Sequence, residues 1–142
     1  MTNKEYWYWI CNIHGIGNRG IEVLLSHYET PKEVYHCREK ELSLIPEIGE
    51  KKAHAIVLSR KKEVIQKSYQ EMEKKGIRFL MRTEEEFPEK LRKIKNPPWC
   101  LYCKGKLPDV RVPVLSVVGA RECSEYGRET ASYFSEILAQ YG

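Results

Sequence analysis

Apolar positions change their period along the chain. Up to about residue 75 they recur at helical spacing; beyond Gly76 short apolar runs alternate with helix-like stretches. "KEYWYWICN" predicts a short helix with one buried aromatic side, and a second helix is expected from about Asn18 to Tyr28. Pro31 suits the first turn of a third, where its missing N–H costs nothing. After Gly49, Val57, Lys61, Val64, Ile65, Tyr69 and Met72 form one stripe, predicting a single long helix stopped by Gly76. "IRFLM" (77–81) and "WCLYCKG" (99–105) predict strands, and "TEEEFPEKLRKI" between them predicts a short helix with Thr83 as its cap. "VPVLSVV" (112–118) is apolar at successive positions, as in an interior strand of a helix-covered parallel sheet. A helix capped by Ser124 follows, with Ala131, Phe134, Ile137 and Leu138 expected to face that sheet. The predicted class is α/β: a helical domain over 1–75, then a sheet domain over 76–142.

Two glycine turns stand out in the helical part. "IHGIG" (13–17) and "IPEIG" (45–49) align, so a helix–turn–helix unit is duplicated. In such an h-x-G-h-G turn, glycines allow a sharp bend, and exposed N–H groups at the next helix start can hold a phosphate oxygen. This is the logic of the helix–hairpin–helix, which binds DNA backbone without reading sequence. Gly15, Gly17 and Arg19 are the candidate contacts at the first turn, and Gly49, Lys51 and Lys52 at the second. Glu47 stands where the second turn would carry its first glycine, and its carboxylate opposes phosphate. Charge is uneven in a way that bears on this. Residues 1–50 carry 5 basic and 8 acidic side chains, residues 51–106 carry 16 and 7, and residues 107–142 carry 3 and 5. The middle block suggests an anionic partner, nucleic acid first.

The junction "VVGARECSEYGR" holds the other candidate chemistry. An open α/β sheet binds ligands at the C-terminal ends of its strands, where Gly119 and Ala120 let backbone approach an anion closely. Arg121 supplies a fork of donors matched to phosphate, Ser124 caps the next helix, and Tyr126 is placed to pack under the loop or stack on a base. Gly127 and Arg128 complete the helix start. The spacing is not G-x-G-x-x-G, so no dinucleotide cofactor is expected. The five cysteines (Cys11, Cys37, Cys100, Cys103, Cys123) suggest no disulfide framework. Cys100 and Cys103 form an isolated CxxC with no second ligand pair, so no metal is expected and both read as small apolar residues. No apolar run approaches the ~20 residues needed to cross a bilayer, and a cytoplasmic protein without membrane partners is expected.

Three ordered motifs carry a resemblance. "FPEKLRKIKNPPWCLYCKGKL" followed by "VLSVVGARECSEYGRETA" resembles the DNA-processing DprA/Smf family, whose pattern runs Y/F-P-x-x-L, P-P-x-x-L-Y-x-K-G-x-L and V-G-S/A-R-x-x-S-x-Y-G. The matching positions are Phe87-Pro88 with Leu91, Pro97-Pro98 with Leu101-Tyr102, Lys104-Gly105 and Leu107, then Val118 to Arg121, Ser124 and Tyr126-Gly127. The resemblance implies a SAM-like helix–hairpin–helix domain followed by the start of a Rossmann-like parallel sheet, cut after its first crossover helix. It implies a non-enzymatic single-stranded DNA-binding protein that protects incoming DNA in natural transformation and helps load a RecA-type recombinase. It further implies a homodimer of the full-length protein. Gly119, Ala120, Arg121, Ser124, Tyr126, Gly127 and Arg128 would form or flank its phosphate loop. Two rival readings are a fragment of a phosphoribohydrolase-like Rossmann enzyme and a helical protein-interaction module.

Overall fold

A computed structural model describes residues 1–107 and 114–141. The chain forms two compact units, Met1–Leu107 and Pro108–Gly142. The boundary drawn at residues 75–76 falls inside the first of them.

Six helices open that unit: α1 (Asn3–Cys11), α2 (Asn18–His27), α3 (Pro31–His36), α4 (Glu39–Ser43), α5 (Gly49–Leu58) and α6 (Lys62–Lys74). Local chemistry sets several of their ends. Thr2 and Glu5 form a capping box at α1, and Thr30 caps α3 with Pro31 in its first turn. Gly76, at φ +68°, ends α6 after Lys75 in the left-handed conformation that favours glycine. The four isoleucines of the duplicated turns, Ile13, Ile16, Ile45 and Ile48, are all buried in one core with Trp9, Ile10, Leu24, Val34, Leu42 and Ile56. The repeat is therefore a packing device: each turn sends two side chains inward, and each buried isoleucine contributes about 1.5–3 kcal/mol.

The single long helix expected after Gly49 is two helices. The break at Ser59–Lys61 is made by neighbours. The Trp9 indole N–H donates to Ser59 Oγ (2.8 Å), the Tyr35 hydroxyl donates to the Arg60 carbonyl (3.2 Å), and an Arg60 guanidinium N–H donates to the Val34 carbonyl (3.0 Å). Polar groups of α1 and α3 thus hold the chain where the helix would have continued. Ile65 and Met72 stay buried, while Val64 is exposed.

Strand β1 (Ile77–Met81) pairs antiparallel with β2 (Cys100–Lys104), with Phe79 opposite Tyr102 and Leu80 opposite Leu101. The expected parallel pairing does not join these strands. A parallel return needs a covering crossover helix, and the segment between them holds only α7 (Glu89–Arg92). That helix is shorter than expected and is not capped by Thr83. Pro88 lacks an N–H and disfavours helix at the residue before it, so the chain turns through residues 83–87 and buries Phe87 (2% exposed) with Leu80 and Cys103. The Glu84 carboxylate accepts the Met81 N–H at 2.7 Å instead. Aromatic edges join hairpin and helices, with Tyr8 against Phe79 and Tyr69 against both.

In the second unit, Ser124 caps α8 (Glu125–Gln140) as expected, its Oγ accepting the Gly127 N–H at 3.2 Å. Residues 114–120 form no strand ladder; residues 112 and 113 of the expected strand lie outside the described residues. Ala131 and Ile137 are half-buried, Phe134 and Leu138 exposed, and no residue of α8 is fully buried.

Candidate nucleic-acid interface

The two glycine turns use their glycines differently. Gly15 has φ +80° between α1 and α2, whereas Gly17 is the extended N-cap of α2 (φ −90°, ψ −175°). In the second turn the left-handed residue is Gly49, at φ +62°, where α5 begins. Gly17 and Gly49, aligned in sequence, therefore differ in conformation. Neither α2 nor α5 has a side-chain cap, so the first-turn N–H groups of both receive no side-chain acceptor. Such helix starts can face an anion.

The charges beside these turns are already engaged with each other. The Arg19 guanidinium donates to both Glu47 carboxylate oxygens (3.0 and 2.8 Å), a bidentate pair linking the first hairpin to the second. It also reaches Glu22 at 3.4 Å. Hydrogen bonding to Arg19 holds the Glu47 carboxyl below its ordinary range, and the same bond raises Arg19. Lys52 Nζ donates to the Glu47 carbonyl at 2.7 Å. Of the hairpin cations singled out, Lys51 is exposed and in no ion pair among the described residues, in a shallow groove shared with Glu39, Glu50 and His54. Glu47, expected only to oppose phosphate, is the residue that ties the hairpins together.

A groove lined by Tyr69, Glu73, Phe79 and Glu84–Glu86 runs beside β1. Lys4 binds Glu84 (2.6 Å) and Arg78 binds Glu86, so its cations are neutralised and its excess charge is negative. It does not suit a nucleic-acid backbone.

The loop before α8 has the opposite character. Gly119, Ala120 and Arg121 are exposed, and Arg121 and Arg128 enter no ion pair among the described residues. Ser124 takes one first-turn N–H, that of Gly127, and its carbonyl accepts the Arg128 N–H at 3.0 Å. A Cβ on Gly127 would stand 3.4 Å from Ser124 Oγ, an ordinary van der Waals contact beside the cap. Tyr126 is 78% exposed and does not pack under the loop. Its ring is available for stacking.

Sequence reasoning missed the interlocking of residues 1–75 with 76–107. Trp7 stacks on Trp99 with ring centroids 5.4 Å apart, and the Arg82 guanidinium lies 3.6 Å over the Trp99 ring. Asn18 and Pro97 are bridged by a side-chain hydrogen bond of 3.2 Å. Aromatic content in the first helix was the available signal, but nothing in it named the partners.

Comparison with known proteins bears on the same regions. Residues 78–142 match the family described as DNA recombination-mediator protein A. Residues 10–62 match the SAM-like helix–hairpin–helix tandem, which takes in both glycine turns. Protein Smf of Synechocystis sp. is 25% identical over 148 aligned residues, covering 100% of this chain and 37% of that protein. Protein Smf of Borreliella burgdorferi is 41% identical over 56 residues, covering 39% of this chain and 18% of that protein. By these matches the chain is similar to the DprA/Smf family. It spans well under half the length of these two relatives. No solved structure matches it. The loop Gly119–Arg121 and α8 lie in the DprA/Smf match, and the hairpins in the tandem match. Among the described residues no helix is long and apolar enough to cross a membrane.

Proposed function

We propose that the protein binds single-stranded DNA without catalysing a reaction, protecting incoming DNA in natural transformation and helping a RecA-type recombinase to load. The Gly119–Ala120–Arg121 loop is its phosphate contact in this reading, with Ser124, Tyr126, Gly127 and Arg128 completing the helix start. The observation that carries it is Arg121, exposed and in no ion pair among the described residues, inside the family match and just before a helix whose dipole also favours anions. Residues 114–118 are apolar at successive positions and exposed, which supports their serving as an interior strand of a Rossmann-like parallel sheet. Homodimerisation and a recombinase contact rest on the family resemblance alone, as does a soluble cytoplasmic setting.

The helical part is better read as a structural or protein-contacting module than as a second DNA clamp. Arg19 and Lys52 are committed to Glu47, and affinity for a nucleic-acid backbone scales with the phosphates neutralised by free cations.

The test is Arg121→Ala, read by anisotropy of a labelled oligonucleotide across a salt series. Loss of one guanidinium–phosphate contact should weaken binding by about 1–3 kcal/mol and lower the salt slope by about one contact's worth. Unchanged affinity and slope would remove the loop from the site.

A further inference from the structure

The CxxC of β2 is not a pair in space. Residues three apart on a strand point to opposite faces, and Cys103 is buried with Leu80 and Phe87. Cys100 is brought to Cys11 instead, the last residue of α1, by the contacts of the residues flanking both. The packing on either side holds them there. Trp7, one turn before Cys11, stacks on Trp99, next to Cys100. Tyr8 meets Tyr102 edge-on, and the Asn12 side-chain amide donates to the Tyr102 hydroxyl. Contacts before and after each cysteine therefore fix the last turn of α1 against the first residues of β2. Both residues are half-buried rather than sealed in a core. The other cysteines are placed differently. Cys37 is buried against Tyr28 and Glu41, Cys103 is buried in the second core, and Cys123 stands exposed.

We propose that Cys11 and Cys100 form a reversible intramolecular disulfide in response to a peroxide, making the α1–β2 junction a redox modification site. The Cys11 thiol beside it favours the Cys100 thiolate and lowers its pKa, while the Cys100 thiolate and burial push Cys11 up. Cys100 is therefore the attacking group and Cys11 the resolving one. The Cys100 thiolate attacks one peroxide oxygen and the O–O bond breaks. Cys100 becomes a sulfenic acid, and the departing hydroxide leaves as water with the proton that Cys100 released. The Cys11 sulfur then attacks the Cys100 sulfur. The S–S bond forms, the S–O bond breaks, and the second hydroxide leaves as water with the Cys11 proton. The two thiols give up two electrons, and the peroxide is reduced to two waters. A dithiol reductant reverses the step by exchange. The bond joins residues far apart in sequence, so it ties the helices to the hairpin and restrains the unfolded chain.

The test is to treat the full chain with hydrogen peroxide under native conditions, alkylate the remaining thiols and map the non-reduced digest by mass spectrometry. A Cys11–Cys100 peptide should dominate, and free thiols should fall from the five of the sequence by two. The link should form several-fold faster than in urea, where native packing no longer selects the partner, and dithiothreitol should remove it. Cys11→Ser and Cys100→Ser should each abolish it, whereas Cys123→Ser should not. A Cys100–Cys103 link, dimers through Cys123 only, or a Cys11–Cys100 link no faster natively than in urea would overturn the proposal.

Discussion

Residues 1–107 and 114–141 carry comparable apolar material and use it in opposite ways. In the first stretch Ile10, Leu24, Val34, Leu42 and Ile56 are sealed from solvent, and Phe87 closes a second cluster. In the second, Val114, Leu115, Val117 and Val118 are exposed, Val118 by 90%, and α8 buries nothing fully. The arginines at the candidate sites differ as well. Arg19, Arg78 and Lys4 are each paired with a carboxylate, while Arg121 and Arg128 are in no ion pair among the described residues. The difference shows what a core requires. Among the described residues, one helix and one extended segment supply no second layer of their own, whereas seven helices and a hairpin supply several.

The largest effect that would sharpen this contrast is Phe87→Ala. Emptying that site should cost about 3–5 kcal/mol, whereas Val118→Ala, at an exposed position, should stay within about 0.5 kcal/mol. Urea unfolding of both variants measures it, and equal losses would mean that residues 114–118 are packed after all.

Next come the glycine turns. Gly15→Ala and Gly49→Ala put a Cβ into a left-handed conformation and should each cost about 1–2 kcal/mol. Gly17→Ala should be tolerated, because its φ is negative and nothing stands within 4 Å of an added Cβ. Melting temperatures of the three variants separate the turns, and a loss at Gly17 equal to that at Gly49 would restore the sequence repeat as a conformational one.

The smallest effect is the Lys4–Glu84 tie between α1 and the segment after β1. Burial pushes the Glu84 carboxyl up, but hydrogen bonds from Lys4 and the Met81 N–H outweigh it, leaving the group below its ordinary range. A carboxyl held low in the folded chain contributes stability above its unfolded value of about 4.3, lost as pH falls through the lowered one. For a largely exposed pair this amounts to no more than about 1 kcal/mol. Glu84→Gln should flatten the acid limb of a stability-against-pH curve, and an unchanged limb would show that the tie contributes nothing.

Much of the molecule was legible in the chain. The h-x-G-h-G turns located both hairpins, and short apolar runs located β1 and β2. Ser124 announced the start of α8, and Pro31 that of α3. These signals are local: a cap, a left-handed glycine or an alternation acts within about four residues, and its cause sits beside it in sequence. The candidate loop was legible for the same reason, since Gly119 to Gly127 is one continuous stretch. What the tertiary structure decided depends on partners far away. The Trp9 indole on Ser59 and the Tyr35 hydroxyl on Arg60 divided a stripe that reads as one helix. Arg19 closed on Glu47, turning an expected defect of the second hairpin into a link between the two. Cys100 left its sequence neighbour Cys103 for Cys11, because alternate strand faces separate the first pair and packing of Trp7 on Trp99 brings the second together. A side chain's type is written in the sequence, but its partner is chosen by which faces the packed core presses together.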